Sequence, residues 1–468
     1  MAHHIVIIGG GPGGSGAAFE AAQRGARVTL IERDQVGGTC LNRGCIPTKT
    51  MLRSAVALDA IEHADQIALS VPREATLDLD KLRQRKEDVV AELRSQLEAQ
   101  LKRAHVELIR GEATIDTDGA IQVTDTDGEN ARIDPDALII ATGSEPFELP
   151  IIDHSLSRVW TSDDALELSE IPDKLIILGG GVIGVELASA FAAFGSKVTI
   201  VELADHILPS VEARIVRTLA ASLKAAGIEI LAKTSVTDVE QEGDRIKATL
   251  SDGTELEADI LLSAIGRATV LPDGLDPQVH LNYPVKIIGD AAGGIMLAHF
   301  AEAQGECCAR HLIEVLDGKQ ATHPAHRETS SDEGLSTQAS SCTGIDASQI
   351  PACIYTHPEI ATIGLSGQEA KESGHEIASG IAKFSANGKA LAEGDAIGFV
   401  SIIADRKTGK LLGAQIIGPH AVELIATIGV ALAADMTVEQ LVETVFAHPT
   451  VSETIKIAAR LALSSCDS

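Results

Sequence analysis

The chain has 468 residues, 45% of them hydrophobic, enough to bury about three domain cores. With 67 acidic against 38 basic residues and a net charge of −29, its surface is a poor match for nucleic acid or an anionic membrane. No run of eighteen apolar residues occurs, so no membrane span is expected. The acidity reads as solubility or a saline habitat.

Residues 1–4 lead straight into a strand, with no basic n-region and no cleavage site, so a cytoplasmic location is expected. A strand is expected over 4–8. The glycine turn Gly9-Gly10-Gly11-Pro12-Gly13-Gly14 follows, then an Ala-rich helix to 24 that Gly25 ends, and a strand over 27–31 closing on Glu32. Gly9, Gly11 and Gly14 let backbone approach a pyrophosphate at a helix N-terminus, where free N–H groups favour anions. Glu32 is placed to accept from a ribose 2′-hydroxyl.

The run Gly37-Gly38-Thr39-Cys40-Leu41-Asn42-Arg43-Gly44-Cys45-Ile46-Pro47-Thr48-Lys49 comes next. Two cysteines five apart beside a bound nucleotide can cycle between dithiol and disulfide. A metal site or an inert pair would use the same spacing, but no nearby CxxC or HxxxH supplies further ligands. A positive neighbour makes a cysteine reactive, and Lys49 lies one helical turn beyond Cys45. Apolar spacing at Val89, Leu93, Leu97 and Leu101 predicts a helix over 83–103.

The first unit then recurs: a strand over 175–178, the turn Gly179-Gly180-Gly181-Val182-Ile183-Gly184, a helix over 185–194 stopped by Gly195, and a strand over 197–201 ending at Glu202. Two such units imply two dinucleotide sites, the second framed by Gly179, Gly181, Gly184 and Glu202. A carboxylate at 202 repels a 2′-phosphate, which favours NAD over NADP.

From 351 onward the character changes to α+β, with strands expected over 396–404 and 411–417 and helices over 421–434 and 438–445. The polar stretch 322–348 reads as a surface loop with Cys342 incidental, and Cys307-Cys308 read as packed in a helix. His448-Pro449-Thr450-Val451-Ser452-Glu453 can form an oriented acid–base pair, the glutamate fixing the ring tautomer. His357-Pro358-Glu359 looks the same locally, so the motif does not certify itself.

These motifs, in order with Ala141-Thr142-Gly143, Ala264-Ile265-Gly266-Arg267, Ile288-Gly289-Asp290, Met296-Leu297-Ala298-His299, YTHPEIATIGLS and GAQIIGPHA, span nearly the whole chain. In them the chain resembles the class I flavin-dependent pyridine nucleotide–disulfide oxidoreductases, in particular their dihydrolipoyl-oxidising branch. The resemblance implies an α/β fold with two Rossmann-like dinucleotide-binding domains plus an α+β dimerisation domain. The expected division is 1–145 for the FAD-binding domain, 146–266 for the NAD-binding domain, 267–320 for the second part of the FAD domain, 321–349 for an inserted loop and 350–468 for dimerisation.

It further implies FAD in the first site and NAD in the second. Around FAD would lie Glu32 at the ribose, Asp290 at the ribityl chain, and Gly111, Ala113, Thr142, Gly143 and Ala298. Val236 and Gly266 would join the second site. Lys49 would sit near the flavin ring, paired with Glu186. Cys45 would be the flavin-side sulfur and Cys40 the one exchanging with substrate. His448, oriented by Glu453, would be the acid–base and would serve the active site of the other subunit of a homodimer. The substrate would be a dihydrolipoyl group on a lipoylated carrier protein; no resident metal is expected. Two departures stand out: only 21 residues, 268–288, separate the AIGR run from the GD motif, and 322–348 has the look of an insertion. Both would alter the choice of carrier protein without touching the chemistry. A related disulfide or mercuric reductase is the alternative reading. An idle flavoprotein would have no need of all six of Cys40, Cys45, Lys49, Glu186, His448 and Glu453.

Overall fold

The computed structural model describes residues 2–72, 75–275, 281–319 and 345–466. The chain divides into two compact units. The first comprises Met1–Thr48, Arg83–Phe147 and Arg267–Asp346, the second Lys49–Leu82, Glu148–Gly266 and Ala347–Ser468.

The first unit is built on a seven-stranded sheet. Its strands run in the order Val285–Ile287, Ala137–Ile140, His4–Ile8, Arg27–Glu32, Glu107–Ile115, Ile121–Asp125, Asn130–Ile133. The first five are parallel and the last two pair antiparallel. His4–Ile8 reads as an unbroken apolar run because both of its faces are covered: Ile5 and Ile7 enter one core, Val6 and Ile8 the other. Helices Pro12–Gln23 and Ala298–Leu316 meet backbone to backbone, since a Cβ on Gly305 would lie 2.1 Å from Gly13 O. Cys308, on the second of these helices, is fully buried, as the sequence suggested.

The short stretch after the AIGR run is stitched to the sheet. Arg267–Thr269 pairs with Ser144–Pro146, Val270 N–H donates to Gly143 O at 3.0 Å, and Ile115 N–H donates to Asp273 O at 2.9 Å. Most of the expected insertion, with Cys342, lies outside the described residues; Ala347–Gln349 forms a short 3-10 turn.

Among its described residues the second unit holds three sheets. A parallel one runs Glu229–Leu231, Lys197–Val201, Lys174–Leu178, Ile260–Ser263, Val159–Trp160. An antiparallel one of three strands spans Val236–Glu242, Arg245–Leu250 and Glu255–Ala258. The third is an antiparallel sheet in the order Ala352–Ile354, Glu359–Gly364, Leu411–Gly418, Phe399–Asp405, Ile377–Lys383. Helices Ala421–Ala433 and Glu453–Cys466 pack on the last of these through Ile425, Ile428, Ile455 and Ala458.

Element ends differ from the sequence reading for local reasons. The strand expected at 396 begins at Phe399, because Gly398 takes φ +99° with its Cβ position 1.8 Å from Ile417 O. The helix expected at 83 begins at Leu79, where Asp78 accepts the Lys81 N–H. The helix expected to reach 445 ends at Glu443. Among the described residues no helix is long and apolar enough to cross a membrane.

Candidate active site

The two glycine turns have matching geometry. Gly9 takes φ +105° and Gly179 φ +98°, and a Cβ on either would collide with a carbonyl, Ala141 O at 2.2 Å or Ala264 O at 2.5 Å. Gly14 and Gly184 pack at 1.8 and 2.0 Å, on the same measure, against the carbonyls of Gly9 and Gly179. Gly11 and Gly181 cap their helices without any side-chain hydrogen bond. A Cβ on Gly181 would meet nothing within 4 Å, and one on Gly11 only Gly38 Cα at 3.8 Å. Each helix N-terminus therefore faces open ground with its N–H groups unclaimed by a cap, which fits a dinucleotide pyrophosphate.

The two acidic residues also match. Glu32 accepts Gly10 N–H at 2.7 Å and Asp34 N–H at 2.8 Å. Glu202, buried, accepts Gly180 N–H and Ala204 N–H, both at 2.6 Å. Each carboxylate is locked by backbone donors, one on each oxygen, and keeps lone pairs for a ribose hydroxyl.

Cys40 lies in the helix Gly38–Arg43, and Cys45 opens the helix Cys45–Glu62 that also carries Lys49. Cys40 is half-buried and Cys45 exposed. Gly37 and Gly38 hold φ +96° and +55° to make the turn into the first helix, and Gly38 would strike Gly11 Cα if it carried a Cβ. Gly38 thus also packs on the first glycine turn, a contact that the local pattern around the cysteines does not encode.

Lys49 Nζ donates to Glu186 Oε2 at 2.8 Å. Glu186 is 4% exposed, and its Oε1 accepts the Tyr355 N–H at 2.9 Å. Lys49 Nζ also stands 4.3 Å from the Tyr355 ring centroid, a cation–π contact. Tyr355 opens the YTHPEIATIGLS motif, and the sequence alone assigns it no role. Next to it, burial foremost, then the Glu359 charge, pushes the Cys353 thiol up to about 11, so this cysteine stays protonated.

His448 Nδ1 lies 3.0 and 3.1 Å from the two oxygens of Glu453. The Thr450 N–H, at 3.0 Å, and the imidazole hold the Glu453 carboxyl below its ordinary range. The His448 side chain is 81% exposed. At the look-alike motif no such pair forms: Glu359 accepts the Val422 N–H instead, and no hydrogen bond joins it to His357.

Asp290 accepts Ser144 Oγ at 2.6 Å, and Arg267 holds Ser144 by its hydroxyl and its carbonyl, at 2.8 and 2.7 Å. Thr142 Oγ1 donates to Val270 O, while Gly143, at φ +79°, has open space around it. Ala298 is the first residue of its helix, and Gly266, at φ +129°, is likewise open. Three expected cofactor residues have evident packing reasons. A Cβ on Gly111 would meet Thr124 O at 2.4 Å, and Ala113 and Val236 are buried in apolar clusters.

The family model described as pyridine nucleotide-disulphide oxidoreductase matches residues 3–274, and that of the family's dimerisation domain matches 350–459. The chain is similar to a dihydrolipoyl dehydrogenase of Bacillus subtilis (strain 168), 36% identical over 471 residues and 96% of each chain. It is similar in structure to LpdA from Mycobacterium tuberculosis, with a TM-score of 0.84 and 26% identity over 98% of this chain and 99% of that one. The HOCl-induced flavoprotein disulfide reductase RclA from Escherichia coli aligns with a TM-score of 0.79 and 28% identity, over 98% of this chain and 100% of that one.

Proposed function

The chain belongs to the pyridine nucleotide-disulphide oxidoreductase family, and on that premise we propose which of its residues carry the reaction and what it acts on. It is an enzyme that oxidises a dihydrolipoyl dithiol to the lipoyl disulfide and reduces NAD⁺ to NADH, using FAD and a redox disulfide.

Cys40 and Cys45 are the redox pair. A substrate thiolate attacks Cys40 of the pair's disulfide, and Cys45 leaves as a thiolate. The second substrate thiolate then attacks the substrate sulfur of the mixed disulfide, Cys40 leaves, and the lipoyl disulfide is released. His448 takes a substrate proton, with Glu453 holding its Nδ1–H so that Nε2 presents a lone pair. The cradle at Gly9, Gly11 and Gly14 with Glu32, Asp290, Thr142, Gly143, Gly111, Ala113 and Ala298 holds FAD; that at Gly179, Gly181, Gly184 with Glu202, Val236 and Gly266 holds NAD. FAD, when bound, supplies the two-electron relay between dithiol and nicotinamide. Lys49 keeps a fixed positive charge at the head of the redox helix because Glu186 and the Tyr355 ring hold its Nζ.

The observation that carries this assignment is the Lys49–Glu186 pair. It joins the helix begun by Cys45 to the helix that leaves the second glycine turn.

The dimerisation-domain match supports a homodimer. The substrate is a dihydrolipoyl group borne on a carrier protein, the division at 145, 266, 320 and 349 marks the domains, and the enzyme works in the cytoplasm. The test mixes purified protein with dihydrolipoamide and NAD⁺ and follows NADH absorbance. Turnover lost in Cys40→Ser supports the reading. No turnover in protein with bound FAD overturns it and points to another disulfide substrate.

A further inference from the structure

The helix that carries Cys40 has six residues, too few to persist without outside support. The support comes from Asn42, which lies between the two cysteines. Its Nδ2 donates back to Gly38 O at 2.9 Å, Val36 O at 3.1 Å and Gln35 O at 3.3 Å. Its Oδ1 accepts Arg94 Nε at 3.0 Å and Nη2 at 2.9 Å. Arg94 stands on Leu79–Arg103, a helix of 25 residues.

A side-chain amide can sit either way round. Here two guanidinium donors converge on one end and three carbonyls on the other. Turned over, the amide would set N–H groups against the guanidinium and an oxygen against the carbonyls. Arg94 thus selects the orientation in which Asn42 ties the helix back to the turn at Gly38.

We propose that Arg94 is a positioning residue for the redox cysteines, acting through Asn42 to hold the Cys40 helix in its register relative to Cys45. This rests on the reading of Cys40 and Cys45 as the redox pair. Holding two thiols in place raises their effective concentration toward each other, which favours the disulfide over the dithiol. Loosening the clamp makes the disulfide easier to reduce, by about tenfold in the equilibrium constant for one lost charge-assisted contact.

The holoenzyme is equilibrated in buffers of reduced and oxidised glutathione, trapped with an alkylating agent, and the peptide holding Cys40 and Cys45 is weighed by mass spectrometry. Arg94→Leu should need a more oxidising buffer to form the disulfide, by about tenfold, and Arg94→Lys should recover part of the shift. Asn42→Asp keeps a partner for Arg94 but turns a carboxylate toward carbonyls, so it should reproduce the Arg94→Leu shift. Two activities are followed alongside: dihydrolipoamide-dependent NAD⁺ reduction, and NADH-driven reduction of ferricyanide, which needs no dithiol exchange. The first should fall in Arg94→Leu while the second and the FAD content stay at the wild-type level. A wild-type glutathione equilibrium in Arg94→Leu overturns the proposal, as does a parallel fall of both activities with loss of FAD. A wild-type protein inactive on dihydrolipoamide instead overturns the functional reading, and the glutathione equilibrium still decides the role of Arg94.

Discussion

Lys49 and Glu186, 137 positions apart, form a nearly buried ion pair at 2.8 Å, and the same carboxylate takes the Tyr355 N–H on its other oxygen. Glu186 therefore joins three stretches of the second unit: the redox helix, the helix of the second glycine turn and the strand end at Tyr355. Burial makes the geometry exacting, because a carboxylate out of water needs every partner it has.

Removing one partner should cost more than removing both. Lys49→Met leaves the buried Glu186 without its counter-ion and with only the Tyr355 N–H, and is expected to destabilise the protein by about 3 kcal/mol. The double variant Lys49→Met with Glu186→Leu should recover much of that loss. Urea unfolding of the three proteins measures the coupling, and simple additivity would contradict it.

The His448–Glu453 pair predicts a catalytic effect with little structural cost, since His448 is exposed. His448→Ala should lower dihydrolipoamide turnover roughly 10²-fold or more and leave the unfolding transition in place. Glu453→Gln keeps size but loses the charge, and should retain more activity than His448→Ala. Because Thr450 and His448 hold Glu453 below its ordinary range, its ionised form persists as pH falls through that range. Its contribution is present above the ordinary carboxylate value and is lost only on passing the depressed one. The acid limb of the turnover profile in the wild type should thus not be set by Glu453.

At the second nucleotide site, Glu202 spends one oxygen on Gly180 N–H and the other on Ala204 N–H. Glu202→Gln keeps one acceptor of the two, so KM for NAD⁺ should rise about tenfold, the worth of one charge-assisted hydrogen bond. The variant should not become an efficient NADP enzyme, because it loosens the loop without adding a cation. Steady-state kinetics with both nucleotides measures this.

Cys353, with its thiol pushed up to about 11, should resist alkylation at neutral pH even in the fully reduced protein. Its labelling rate should climb only as pH approaches that value. Between its ordinary value of 9.0 and about 11 the unfolded chain ionises first, so this group lowers stability as pH rises. Peptide mapping after timed alkylation reads each cysteine separately.

Gly305→Ala should be severely destabilising, because the methyl would enter the backbone of the facing helix at Gly13. Overpacking of this kind costs about 1–3 kcal/mol where the neighbour can move, and here the neighbour is a carbonyl of the first glycine turn. The variant is expected to show a lower thermal midpoint together with weaker FAD retention, measured by flavin release on dilution.

The two glycine turns and the acidic residues that end the strands after them are legible in the sequence alone, which also offers His448 and Glu453 as a pair without setting it apart from the look-alike at His357. Each is a local demand: Gly9 and Gly179 need positive φ, and Glu32 and Glu202 end the strand that follows the same helix. A pattern of a few dozen residues expresses such demands fully. The resemblance to the family already implies the Lys49–Glu186 pair, whereas the meetings of Glu186 with Tyr355, of Asn42 with Arg94 and of Gly305 with Gly13 come from the tertiary packing alone. That packing also separated His448 from His357, whose local sequences look alike, by giving Glu359 to Val422. These partners come together because burying apolar faces sets which helices and strands pack, and no short pattern records which polar side chains that packing will leave facing one another.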